Sequence, residues 1–166
     1  MIGISYAASL CNYVVVSKNE EYLRLMARKM KILIVEDEYI SRVLLSEMLS
    51  AFGTCHVAID GKEAVTILER SFETKERFDL VCLDIMMPEL DGQEVLHCIR
   101  NMEKSMNINR AEATKVIMTT ALDDSKNIMQ AFTKGHCEAY LTKPIDRVKL
   151  MQHLQELKLI DYALRT

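Results

Sequence analysis

The chain has 166 residues, 49% of them apolar and 27% charged, with a formal net charge of -3. That length suits one domain of ordinary size, and the balance excludes disorder as the main state and offers no basic footprint for nucleic acid. No run reaches the roughly 18 consecutive apolar residues of a membrane-spanning helix, and five Gly with two Pro argue against a turn-dense all-β sandwich. Residues 1–29 differ from the rest, carrying Lys18, Arg24, Arg28 and Lys29 against Glu20 and Glu21. Ile2 to Val16 has no basic residue ahead of it and makes a poor signal peptide, and Leu10 before Cys11 makes a poor lipoprotein cleavage site. Leu23, Met26, Ala27 and Met30 share one helical face. We expect an N-terminal extension over 1–29, a domain over 30–160 and a C-terminal tail over 161–166.

From residue 31 a rhythm sets in. Lys31 to Val35 is a short buried-strand run. Ile40, Val43, Leu44, Met48 and Leu49 fall at helical spacing between Tyr39 and Ala51, and Phe52-Gly53 ends that helix, with Gly53 expected in the left-handed position after its C-terminus. Thr54 to Ile59 predicts a second strand, and Asp60-Gly61 opens a helix to about Arg70 with Ala64, Val65 and Leu68 inward. Asp79 to Leu83 predicts a third strand, Gly92 to about Met102 a helix, and Lys115 to Met118 a fourth strand. Asp124 caps a helix ending near Gly135. Glu138 to Thr142 predicts a fifth strand and Asp146 to about Lys158 a last helix. Five strand-helix alternations predict an α/β fold with a parallel sheet covered on both faces. The charged stretches Ser71 to Phe78 and Glu103 to Thr114 are expected as surface connections.

In open α/β sheets ligands collect beyond the carboxyl ends of the strands. Strand 1 ends in Glu36-Asp37-Glu38, strand 3 in Asp84, strand 4 in Thr119-Thr120-Ala121 and strand 5 in Thr142-Lys143-Pro144. A lone acid there is usually a helix N-cap, which covers Asp37 or Glu38. Asp84 is different, because Met86-Met87-Pro88 does not start a helix, and capping does not account for Lys143 either. Cys11, Cys55, Cys82, Cys98 and Cys137 form no CxxC pair or metal-ligand spacing and are expected as reduced thiols. His56, His97, His136 and His153 are scattered and expected at the surface.

Val35-Glu36-Asp37-Glu38, the run Leu83 to Gly92, Thr120-Ala121 and Lys143-Pro144 together resemble the receiver domain of two-component response regulators, over about residues 31–158. The resemblance implies a flavodoxin-like (βα)5 fold, a doubly wound parallel sheet in order 2-1-3-4-5. It implies that Asp84 accepts a phosphoryl group from the phosphohistidine of a sensor histidine kinase or histidine phosphotransfer protein. It implies Mg²⁺ bound by Glu36, Asp37, the Asp84 side chain and the backbone carbonyl of Met86. Thr120 would hydrogen-bond a phosphoryl oxygen, Lys143 would pair with the phosphate, and Tyr140 holds the aromatic switch position. Met86 and Leu122 would flank the path of an attacking water. Both are apolar, so slow self-hydrolysis is expected. The Lys143-Pro144 bond is expected cis.

The chemistry fits those residue types. Like-charged carboxylates at about 4 Å repel by about 4 kcal/mol per pair at an effective dielectric near 20, and a hard divalent cation removes that repulsion. A carboxylate is a competent nucleophile toward phosphorus, and its product adds about -1.5 to -2 charge. That charge would bias a face built from the fourth helix, fifth strand and fifth helix, with Met129, Phe132, Tyr140, Lys149 and His153 as candidate members. Only about eight residues follow the last predicted helix, so output is expected through a protein contact in the cytoplasm, without nucleic acid or membrane. A chemotaxis-type adaptor and a relay intermediate both fit. Two other readings are weaker. A haloacid dehalogenase-type phosphatase needs a second Asp where Met86 stands, and a flavin carrier's phosphate would be repelled by Glu36-Asp37-Glu38.

Overall fold

A computed structural model describes residues 29–121 and 137–160. The helix expected from Asp124, Leu122, Met129, Phe132, His136, Cys11 and the whole of residues 1–28 and 161–166 lie outside the described residues. Among the described residues five strands, β1 (Met30–Val35), β2 (Gly53–Ala58), β3 (Leu80–Asp84), β4 (Lys115–Thr120) and β5 (Ala139–Thr142), alternate with four helices. These are α1 (Tyr39–Leu49), α2 (Gly61–Glu73), α3 (Gly92–Ser105) and α4 (Arg147–Glu156). The sheet is parallel in order β2-β1-β3-β4-β5. The chain therefore reverses direction across the sheet between β1 and β3, the switch point where such folds place their sites. No helix among the described residues is long and apolar enough to cross a membrane.

Alternation along the strands sorts the core into two layers. Leu33, Val35, Val81, Leu83, Val116 and Met118 pack with Ala64 and Leu68 of α2 and Val95, Leu96 and Ile99 of α3. Ile32, Ile34, Leu80, Cys82, Ile117 and Leu141 pack with Leu45 and Leu49 of α1 and Leu150, Met151 and Leu154 of α4. The central strands are buried on both faces, so they read as unbroken apolar runs.

Several sequence expectations change in detail. α2 runs to Glu73 and α3 to Ser105, which shortens the connections after them. In α1 the buried residues are Leu45 and Leu49, while Ile40, Val43 and Leu44 are exposed. The helix carries two apolar stripes, and periodicity alone does not say which one meets the sheet. Gly53 is not left-handed, since no described glycine has positive φ. It opens β2 instead, and a Cβ there would lie 2.2 Å from the Met30 carbonyl oxygen.

Candidate active site: an acidic pocket bridged by a lysine

The alternation that builds the core also builds the site. Residues 32 and 34 of β1, 80 and 82 of β3 and 141 of β5 face the α1/α4 layer. Two residues further along each chain, Glu36, Asp84 and Lys143 continue that face beyond the apolar floor. Glu36 is fully buried and Asp84 only 3% exposed. Lys143 reaches back across β4, placing Nζ 2.7 Å from Glu36 Oε1 and 2.5 Å from Asp84 Oδ2. The Met86 N–H donates to Asp84 Oδ1 at 3.1 Å. The Lys143-Pro144 peptide is cis, and the Lys143 N–H donates to the Thr120 carbonyl at 2.8 Å.

Burial raises Glu36 to about 7, against the opposing pull of its hydrogen bond to Lys143. Burial pulls the Lys143 ammonium down, but its bonds to Asp84 and Glu36 outweigh this and leave it above the ordinary lysine value. Carboxylate oxygens of Glu36, Asp37 and Asp84 lie within 4.8 Å of one another. Glu36 Oε2 has no hydrogen-bond partner, and an orphaned buried carboxylate oxygen is costly. Three oxygen-donor acids, one of them with an unused buried oxygen, against one lysine fit a hard divalent cation.

Thr120 is fully buried, with its hydroxyl 3.2 Å from the Ala121 carbonyl. By strand alternation it shares the α2/α3 face with Tyr140, which packs half-buried against that layer. Burial first, then a hydrogen bond with Cys137, pushes the Tyr140 phenol above its ordinary value. The Tyr140 carbonyl lies 3.1 Å from His153 Nε2. The acids and Lys143 thus occupy one side of the sheet's rim, and Thr120 and Tyr140 the other.

Three neighbours were not singled out by the sequence reading. Thr119 pairs with Asp84 in the β3–β4 register, and its buried hydroxyl has no partner. The adjacent Thr120 masked it. Gly92 opens α3 against the loop that follows β3, and a Cβ there would lie 2.1 Å from the Asp84 carbonyl oxygen. Arg42 donates to main-chain carbonyls of the acidic loop, a contact that no sequence pattern announces.

Comparison with known proteins identifies the fold's relatives. The profile of the response regulator receiver domain matches residues 32–155. A two-component response regulator of Oryza sativa subsp. japonica is 30% identical over 135 residues, covering 81% of this chain and 99% of the relative. A hybrid signal transduction histidine kinase of Dictyostelium discoideum is 30% identical over 128 residues, 76% of this chain. The chain spans only 7% of that kinase and 10% of an osmosensing histidine kinase of Saccharomyces cerevisiae. Among solved structures, the receiver domain of the Arabidopsis thaliana histidine kinase CKI1, complexed with Mg²⁺ and BeF3⁻, superposes with a TM-score of 0.68. It is 26% identical, over 79% of this chain and 91% of that one. Matched by the profile over most of its length and by a relative 30% identical along nearly its whole chain, the protein belongs to the response regulator receiver domain family.

Proposed function

We propose that this protein is a phosphoacceptor switch in a phosphorelay, with Asp84 as the residue phosphorylated. The observation that carries this reading is Lys143 bridging Glu36 and Asp84 at hydrogen-bond distance on a buried rim. An Asp84 carboxylate oxygen attacks phosphorus, the P–N bond to the donor's imidazole breaks, and the imidazole leaves with the electron pair. Glu36, Asp37, the Asp84 side chain and the Met86 carbonyl would hold Mg²⁺, which when bound supplies counter-charge to the acids and the phosphoryl oxygens. Lys143 supplies the positive charge on the other side of the nucleophile. Thr120 turns its hydroxyl from the Ala121 carbonyl to the phosphoryl oxygen, and Tyr140, on the same face, moves with it.

The donor is a sensor histidine kinase or a histidine phosphotransfer protein. Exposed apolar side chains of Tyr39, Ile40 and Met86 follow closely on the acids after β1 and β3, and exposed Val148 lies in the first turn of α4; they suit contact with such a partner. The signal leaves as a protein contact, through a face that includes Tyr140, exposed Lys149 and half-buried His153. In this reading the domain is 30–160, with 1–29 and 161–166 as appendages. It acts in the cytoplasm as an adaptor or relay intermediate. Its own dephosphorylation is slow, because Met86 offers no group to orient a water, and it acts on no other substrate.

Incubation with acetyl phosphate and MgCl₂, followed on a phosphate-affinity gel, tests the reading. The expected result is a shifted band that needs Mg²⁺, is absent from Asp84→Asn and persists far longer than a minute after donor removal. No shift, or an equal shift in Asp84→Asn, contradicts it.

A further inference from the structure

Glu36 is fixed by burial and by Lys143, but Asp37 is exposed, and packing does not aim its carboxylate. Its direction must come from the main chain. The loop between β1 and α1 is where that control is exerted. Arg42 Nη1 donates at 2.7 Å to the Glu36 carbonyl and at 3.2 Å to the Asp37 carbonyl. One donor therefore holds two successive peptide planes, and with them the directions in which both acidic side chains leave the backbone. Arg42 is itself held. Its N–H donates to the Glu38 carbonyl at 3.1 Å in the first turn of α1, and its guanidinium lies 5.6 Å from the centroid of the Tyr39 ring. A flat guanidinium suits both contacts, and an ammonium suits them less well.

We propose that Arg42 is a positioning residue of the acidic pocket, setting the geometry in which Glu36 and Asp37 take a divalent cation. This rests on the metal-site reading above. Two simpler roles make different predictions. If Arg42 acted only as a nearby positive charge, it would repel the cation, and its removal would tighten binding. If it only stabilised the fold, its removal would lower the melting temperature and leave the folded protein's affinity unchanged.

The test is calorimetric titration of the full-length protein with MgCl₂ at fixed pH and ionic strength, alongside thermal melting in EDTA. Loss of a group that orients metal ligands typically weakens binding by about 10- to 100-fold. We expect Arg42→Met to bind Mg²⁺ about tenfold more weakly than wild type. Arg42→Lys, which keeps a donor and the charge, should recover part of that loss. Lys104→Met, the same charge change on an exposed residue at the far end of α3, should stay within about twofold of wild type. Tighter or unchanged binding in Arg42→Met overturns the proposal, and so does an affinity in Arg42→Lys no better than in Arg42→Met. If Arg42→Met does not fold, Arg42→Lys and Arg42→Gln decide, both being expected between wild type and tenfold weaker. Wild type that takes up no Mg²⁺ overturns the metal-site reading and the proposal with it. Wild type that binds, with variants that bind equally, overturns the proposal alone.

Discussion

At one end of the sheet Glu36, Asp37 and Asp84 meet around Lys143. At the other, Lys29, Lys31, Lys75, Arg77, Lys115 and Lys158 line an open depression of about 1100 Å³, with Glu76, Asp79 and Glu112 among them. Helix dipoles account for two of these cations. Lys75 and Lys158 directly follow the C-caps of α2 and α4, where cations are favoured, and Lys31 is held by exposed Glu76. The corresponding need for acids at the helix N-termini is already met by Glu38, Asp60, Asp91 and Asp146, each accepting main-chain N–H bonds. Glu36, Asp37 and Asp84 are in excess of that need, and two of the three are buried. Glu103 is buried too, but Arg100 and the Thr114 N–H satisfy it; a buried acid that keeps an oxygen unpaired, as Glu36 does, marks the chemistry.

Breaking the buried end should cost most. Lys143→Met leaves Glu36 and Asp84 without their shared counter-charge, and urea unfolding in EDTA at pH 8 should show a loss of about 3 kcal/mol. A loss under half of that would mean water screens the pocket. Two of the three described glycines whose Cβ would meet a backbone carbonyl compare the ends directly. Gly92→Ala pushes on the Asp84 carbonyl and Gly53→Ala on the Met30 carbonyl, at near-equal distances. Each should cost about 2 kcal/mol. Only Gly92→Ala should also slow labelling by acetyl phosphate, on the order of 100-fold, because it displaces the nucleophile.

Proton linkage gives a smaller effect. Glu36 sits near 7 in the metal-free fold, above its ordinary value of 4.5. A carboxyl raised on folding contributes stability below its unfolded value and loses it as pH climbs through its folded one. Metal-free wild type should therefore lose stability on this account between about pH 4.5 and 7. Glu36→Gln should be more stable than wild type by on the order of 1 kcal/mol at pH 8 and equal to it near pH 4.5. Equal stability at both values would mean that Glu36 stays ionised throughout. Smallest of all, Lys75→Gln at the basic end should change stability by less than about 0.5 kcal/mol and leave labelling unchanged.

Most of the sheet was legible because β1, β3 and β4 are buried on both faces and read as apolar runs, and the acids that follow them stand out against that background. Asp84 and Lys143 were legible because no helix cap explains them. Of the buried stripe of α1 Leu49 was legible and Leu45 was not, since Ile40, Val43 and Leu44 offer a competing stripe at helical spacing. Gly53 was misread because a sequence shows the absence of a Cβ, not the carbonyl that would meet one. The Arg42 clamp and the buried ties of Arg100 to Glu103 and Glu138 join residues whose pairing depends on how helices sit on the sheet. The helix ends at Glu73 and Ser105 depend on tertiary contact in the same way.

The central claim is that Asp84 becomes the acyl phosphate. Borohydride trapping after treatment with acetyl phosphate and MgCl₂ tests it most directly, because hydride reduces an aspartyl phosphate to homoserine that peptide mass spectrometry can place. The account predicts homoserine at position 84 alone, and none without Mg²⁺. Homoserine at another acid, or an untouched Asp84 under conditions that label the protein, would contradict it.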